Sequence, residues 1–132
     1  MDTMVANEIP VRTSRRILVI DDEDAVVFGY TQYLKKHGYS VASAGCLKDG
    51  REKLQSNDYR AIVLDIRLPD GDATNLIPEI REMNKDVKIV MVSGLSDEKV
   101  AAAALEKGAD AYLLKPLAMK ELCDSLAQLL QE

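Results

Sequence analysis

ILVIDDE (Ile17–Glu23) is the stretch on which the fold turns: four consecutive apolar residues run straight into two aspartates and a glutamate. An apolar run this short, unbroken rather than alternating, is a strand buried on both faces, and such strands belong to parallel sheets covered by helices above and below. AIVLD (Ala61–Asp65), KIVMV (Lys88–Val92) and AYLL (Ala111–Leu114) are three more of the same kind. YSVAS (Tyr39–Ser43) alternates apolar with polar, which places it at a sheet edge. Between these runs the period changes to 3.6 residues. It is carried by Val26, Val27, Tyr30, Tyr33 and Leu34, by Leu47, Arg51 and Leu54, and by Leu76, Ile77, Ile80 and Met83. Val100, Ala103 and Ala104 continue it within residues 96–107, and Leu122, Leu126, Leu129 and Leu130 within residues 119–130. Gly38 and Gly108 stand where helices should stop, and Ser96 where the fourth should be capped. Pro78 fits only a first turn, so the third helix should start near Thr74 or Asn75 after a long loop. Strand and helix alternate strictly, which predicts an α/β fold: a single doubly wound parallel sheet of five strands, order 2-1-3-4-5, with five helices on both faces.

The chain has 132 residues, enough for one domain and a sizeable core. Its 17 basic and 22 acidic residues give a formal charge of -5, which argues against a surface that attracts nucleic acid. Cys46 and Cys123 stand apart without CxxC or histidine company, so they read as small buried hydrophobes in a reducing compartment. Neither a signal peptide at the N-terminus nor a membrane-length apolar run appears, and a cytoplasmic protein is expected. Residues 1–15 are polar and read as a flexible leader, with the domain occupying 16–132.

Open α/β sheets bind ligands beyond the carboxyl ends of their strands. Here those ends are Asp21 and Asp22, Asp65, Ser93 and Lys115, so three carboxylates, a hydroxyl and an ammonium converge on one edge. Three carboxylates repel one another and need a cation, and an all-oxygen set completed by water suits Mg2+ better than Ca2+. A carboxylate beside Mg2+, flanked by a lysine and a hydroxyl, is an acceptor for a phosphoryl group.

ILVIDDE, IVLDIRLPDGD (Ile62–Asp72), IVMVSG (Ile89–Gly94) and GADAYLLKP (Gly108–Pro116), in that order, resemble the receiver domain of bacterial two-component response regulators, from about Arg16 to the end. The resemblance implies a chemotaxis-regulator-like, flavodoxin-like domain that is a signalling phospho-acceptor rather than an enzyme. It implies that Asp65 accepts the phosphoryl group and that Mg2+, or Mn2+, is held by Asp22, Asp65, the backbone carbonyl of Arg67, and Asp21 directly or through water. Ser93 would touch the phosphoryl group, Lys115 would pair with its oxygens, Tyr112 would be the switch aromatic, and the Lys115–Pro116 bond would be cis. The implied partners are a sensor histidine kinase or phosphotransfer protein, docking on residues 24–36, and a downstream effector domain or protein reached through residues 96–132. A phosphorylation-dependent dimer is left open, and neither nucleic acid nor membrane contact by this domain is implied.

Arg67 and Leu95 are long and apolar respectively where an acid or amide could orient water, so slow hydrolysis of the acyl phosphate is expected. Ala73 stands where such domains often have glycine, and Gly94 leaves the site open to a donor. Glu23 and Asp24 read as acids at a helix N-terminus, and His37 as a dipole partner at a helix end. Two other readings compete. DGDAT (Asp70–Thr74) matches the DxDxT pattern of haloacid-dehalogenase-like phosphatases, but Asp70 comes five residues after its strand, past Pro69. A receiver-like binding module independent of phosphorylation is the other.

Overall fold

The computed structural model describes residues 15–131, so of the leader read over residues 1–15 all but Arg15 lies outside the described residues. The elements are β1 (Arg16–Ile20), α1 (Asp24–Lys36), β2 (Ser40–Ala44), α2 (Leu47–Ser56), β3 (Ala61–Asp65), α3 (Leu76–Met83), β4 (Lys88–Ser93), α4 (Glu98–Lys107), β5 (Ala111–Leu114) and α5 (Met119–Leu130). The five strands form one sheet in the order β2-β1-β3-β4-β5, every neighbouring pair parallel, as the alternation predicts.

The unbroken apolar runs are explained by two cores, one on each face. Leu18, Ile20, Ile62, Leu64, Ile89 and Met91 meet Leu47 of α2, Leu76, Ile77 and Ile80 of α3, and Ala104 of α4. The alternate residues Ile17, Val19, Ala61, Val63, Val90 and Val92 meet Tyr30 and Leu34 of α1 and Leu122, Leu126 and Leu130 of α5. Removing any of these apolar side chains would leave a cavity, and β1, β3 and β4 therefore have no solvent face. The AYLL run of β5 departs from that expectation: it lies at the sheet edge, its first three residues are only half-buried and Leu114 is exposed.

Five local expectations shift. β2 begins at Ser40, one residue later than the alternation suggested, because Tyr39 is buried in the α1–α5 core under the Arg15 guanidinium, 4.6 Å from its ring centroid. α3 starts at Leu76, preceded by a 3-10 turn over Ala73–Asn75, and Pro78 still falls within the first turn, where no intrahelical donor is needed. α4 is capped by Asp97, not Ser96: the Asp97 carboxylate accepts the Lys99 N–H at 2.8 Å, adding full charge at the positive helix end. Ala103 is exposed, so α4 presents only Val100 and Ala104 inward. Of the cysteines, Cys123 is buried and Cys46 only half-buried.

Arg81, at the end of α3, is a tie the sequence reading did not single out. Its guanidinium donates to the Gly108 carbonyl at 3.0 and 2.7 Å, to Asp110 at 2.8 Å, to the Lys85 carbonyl at 3.2 Å and to the Val87 carbonyl. Gly108 has φ 124°, and a Cβ there would sit 3.2 Å from Arg81, so the glycine is required both for the turn and for this approach. Arg81→Ala is expected to lower stability by about 1–3 kcal/mol, since several charge-assisted bonds are lost at a partly exposed site. Urea unfolding checks this; an unchanged midpoint would show that the network contributes nothing.

Candidate functional site

The fold carries each polar strand-end residue to one mouth. Asp21 follows β1 directly, is 4% exposed, donates its N–H to Ala44 of β2 and accepts the Glu23 N–H at 2.9 Å, which turns the chain into α1. Asp22 is exposed, and Asp65 ends β3, half-buried. One carboxylate oxygen from each of Asp21, Asp22 and Asp65 lies within 4.8 Å of the others. Lys115 follows β5, its N–H bonded to the Ser93 carbonyl at 2.8 Å. The Lys115 ammonium donates to Asp21 at 2.9 Å and stands 3.5 Å from both Asp65 and Glu23.

These distances define the electrostatics. Burial pushes the Asp65 carboxyl above its ordinary value; Lys115 pulls it down, and Asp21 pushes it up again. For Lys115, burial alone would lower the pKa, but the hydrogen bond to Asp21 and the charges of Asp21 and Asp65 outweigh it and raise it, so the ammonium persists across the physiological range. Among the described residues the Lys115 ammonium thus meets Asp21, Asp65 and, at the rim, Glu23, while Asp22 adds a further carboxylate to the cluster. This excess of anionic oxygen, with neither sulfur nor imidazole in the cluster, fits a hard divalent cation that keeps part of its water. Glu23 is therefore more than a helix-end acid, since its carboxylate also reaches Lys115.

Ser93 is 3% exposed, and its hydroxyl oxygen accepts the Leu95 N–H at 3.1 Å, leaving its own proton available to donate. Tyr112 is half-buried against the α2–α4 core, and its hydroxyl donates to the Leu95 carbonyl at 2.8 Å. Both side chains chosen from the sequence therefore hold the backbone of one residue, Leu95, a convergence no spacing could reveal. The Leu95 side chain packs against the same core. Gly94 is exposed, with nothing within 4 Å of an added Cβ. Arg67 is exposed, two residues past Asp65, in a two-residue antiparallel ladder with Asp72. The Lys115–Pro116 bond is cis.

DGDAT is a pair of caps. The two oxygens of Asp70 accept the N–H groups of Leu47 and Lys48 at 2.8 and 3.0 Å, and Asp72 accepts from the N–H and hydroxyl of Thr74, each at 2.8 Å. Neither carboxylate belongs to the Asp21, Asp22 and Asp65 cluster among the described residues, so the phosphatase pattern is a coincidence of turn chemistry. The His37 Nδ1–H donates locally to the Tyr33 carbonyl, 3.0 Å away, and the ring stacks on that of Tyr33.

A doubly wound sheet with carboxylates and a lysine at the switch point between its first and third strands defines a class: a flavodoxin-like α/β domain with its polar cluster at the carboxyl ends of the strands. Residues 17–127 match the family model of the response regulator receiver domain. The chain belongs to that family, the receiver domains of two-component response regulators. It is 38% identical over 122 residues to the transcriptional regulatory protein PrrA of Mycobacterium tuberculosis, covering 90% of this chain and 51% of that protein. The chain thus spans about half the length of that relative. Among solved structures, a CheY-like receiver domain protein of Methanospirillum hungatei superposes with a TM-score of 0.84 at 30% identity, over 88% of this chain and 93% of the other. The beryllofluoride-activated NtrC4 receiver domain dimer gives 0.85 at 29% identity, over 89% and 97%.

Proposed function

We propose that this receiver is a live phospho-acceptor: Asp65 takes a phosphoryl group from the phosphohistidine of a sensor histidine kinase or phosphotransfer protein. The observation that carries this is the position of Asp65, half-buried, 3.5 Å from the Lys115 ammonium and grouped with Asp21 and Asp22. In the transfer an Asp65 oxygen forms a bond to phosphorus while the phosphorus–nitrogen bond to the donor histidine breaks and the imidazole leaves. Lys115 balances the charge on the transferring oxygens, and the free Ser93 proton is donated to one of them. Asp21, Asp22, Asp65 and the Arg67 carbonyl would hold Mg2+ or Mn2+, which supplies further positive charge to those oxygens when bound.

The product carries more negative charge than the carboxylate it replaces. Ser93 turning toward it gives up the Leu95 N–H, and Tyr112, bonded to the Leu95 carbonyl, follows the same loop. The readout is then the α4–β5–α5 surface, a two-state element biased by a local charge event. Leu105 and Leu114 on that surface are 46% and 47% exposed, apolar area suited to an effector or to a second receiver. The domain corresponds to residues 16–132 and works in the cytoplasm, with no nucleic-acid or membrane contact of its own. Among the described residues no helix is long and apolar enough to cross a membrane.

Intact mass after incubation with Mg2+ and acetyl phosphate tests the proposal. One base-labile phosphoryl group is expected, lost in EDTA; no gain would leave a phosphorylation-independent binding module. The lifetime is a separate expectation. Leu95 packs inward and Arg67 carries no acid or amide, so nothing at either position orients an attacking water. A phosphoryl half-life of minutes or longer is expected by decay of the phosphorylated mass, and one of seconds would refute it.

A further inference from the structure

The motif that function did not absorb is the Asp70 end of DGDAT, and its contacts reach further than a cap requires. α2 has no cap from its own N-cap residue, Cys46; Asp70, more than twenty residues downstream, takes that place with both oxygens. Backbone N–H bonds hold the Asp70 carboxyl below its usual range, so it is ionised where it meets the positive helix end. The loop carrying Asp70 is the one that leaves Asp65 and contains Arg67. It is packed down at two further points: Leu68 shares the core with Leu47, and Gly71, at φ 146°, lies so close to Leu47 that a Cβ there would be 3.1 Å from its methyl. The entry to α2 is also bound to the other half of the acidic cluster, because Ala44 accepts the Asp21 N–H at 3.0 Å. The short segment from Ala44 to Lys48 thus joins the backbone at Asp21 to the loop after Asp65.

We infer that Asp70 is a positioning residue for the cation site: by gripping the head of α2 it holds the loop of Arg67 against the Asp21, Asp22 and Asp65 carboxylates. The inference rests on the reading of that trio as a metal site. Loss of the grip frees the loop and with it any ligand the Arg67 backbone offers, while leaving every carboxylate of the cluster in place.

Calorimetric titration of the metal-free protein with MgCl2, paired with thermal melting in EDTA, tests this for wild type, Asp65→Asn, Asp70→Ala and Asp70→Asn. Asp70→Ala is expected to weaken Mg2+ binding at least fivefold, with Asp70→Asn, which keeps one acceptor oxygen and so protects folding, falling between it and wild type. A cap of purely structural importance would lower the melting temperature and leave Mg2+ affinity within twofold of wild type, and that result overturns the inference. A wild type that binds no Mg2+, or an Asp65→Asn variant that binds it as well as wild type does, overturns the reading of the trio and the inference with it.

Discussion

Asp65→Asn is expected to take up no phosphoryl group and yet, in EDTA at neutral pH, to unfold at a higher temperature than wild type. The first half follows because an amide of the same shape offers no anionic oxygen to attack phosphorus. The second follows from the charge balance at the site. Burial and Asp21 outweigh Lys115, so the folded protein holds a proton on Asp65 more tightly than the unfolded chain does. The sign is that of a raised carboxylate: as pH climbs from the unfolded value near 4 through the higher folded one, the unfolded state gains from ionisation first, and stability falls. At neutral pH the ionised Asp65 therefore opposes folding, and the neutral amide removes that opposition. Saturating Mg2+ should reverse the order, since a cation bound only by the folded wild type stabilises it by mass action. Melting curves in EDTA and in Mg2+, beside intact mass after acetyl phosphate, give the answer; a variant less stable than wild type in EDTA would mean the cluster is not under charge strain.

Lys115→Met is expected to cost about 1–3 kcal/mol in EDTA at neutral pH and to slow phosphoryl uptake on the order of 10²-fold. The ammonium lies 2.9 Å from Asp21, whose side chain is 3% exposed, and breaking a buried pair leaves an uncompensated charge. The Lys115 side chain is itself 20% exposed, which keeps the loss below that of a fully buried pair. The raised lysine pKa bounds the benefit on the alkaline side only: titration of Lys115 itself takes nothing away below the ordinary lysine value and removes the benefit in strong alkali. The difference between variant and wild type should shrink on acidification as Asp65 takes its proton, because Lys115 is the group holding that pKa down. It should shrink also in Mg2+, which replaces the missing charge. Urea unfolding across that pH range is the check, and a pH-independent difference would assign the loss to packing alone.

Much of this site is legible in the sequence. Asp21, Asp22, Asp65, Ser93 and Lys115 each follow an apolar run directly, and in a parallel sheet all strand ends of one kind meet on one edge, so convergence required only the topology. Caps were the weak point. Ser96 and Asp97 are both good capping residues, and which one caps α4 depends on the phase at which the helix packs against β4 and β5. Asp70 and Arg81 were missed for another reason: their partners are backbone groups, Leu47 and Lys48 for one, Val87 and Gly108 for the other, which every sequence position offers and no spacing marks.

The sequence alone determined the strand and helix alternation, the strand order and the residues at the mouth of the sheet, because periodicity and the apolar-to-polar step are local properties of the chain. Only the tertiary structure decided who holds whom. Lys115 lies closer to Asp21 than to Asp65, Ser93 and Tyr112 grip the backbone of the same Leu95, and Asp70 caps a helix that precedes it in the chain. Such choices turn on differences of a few tenths of an ångström in donor–acceptor distance, and those are set by how two cores pack on either face of the sheet, not by the order of residues along it.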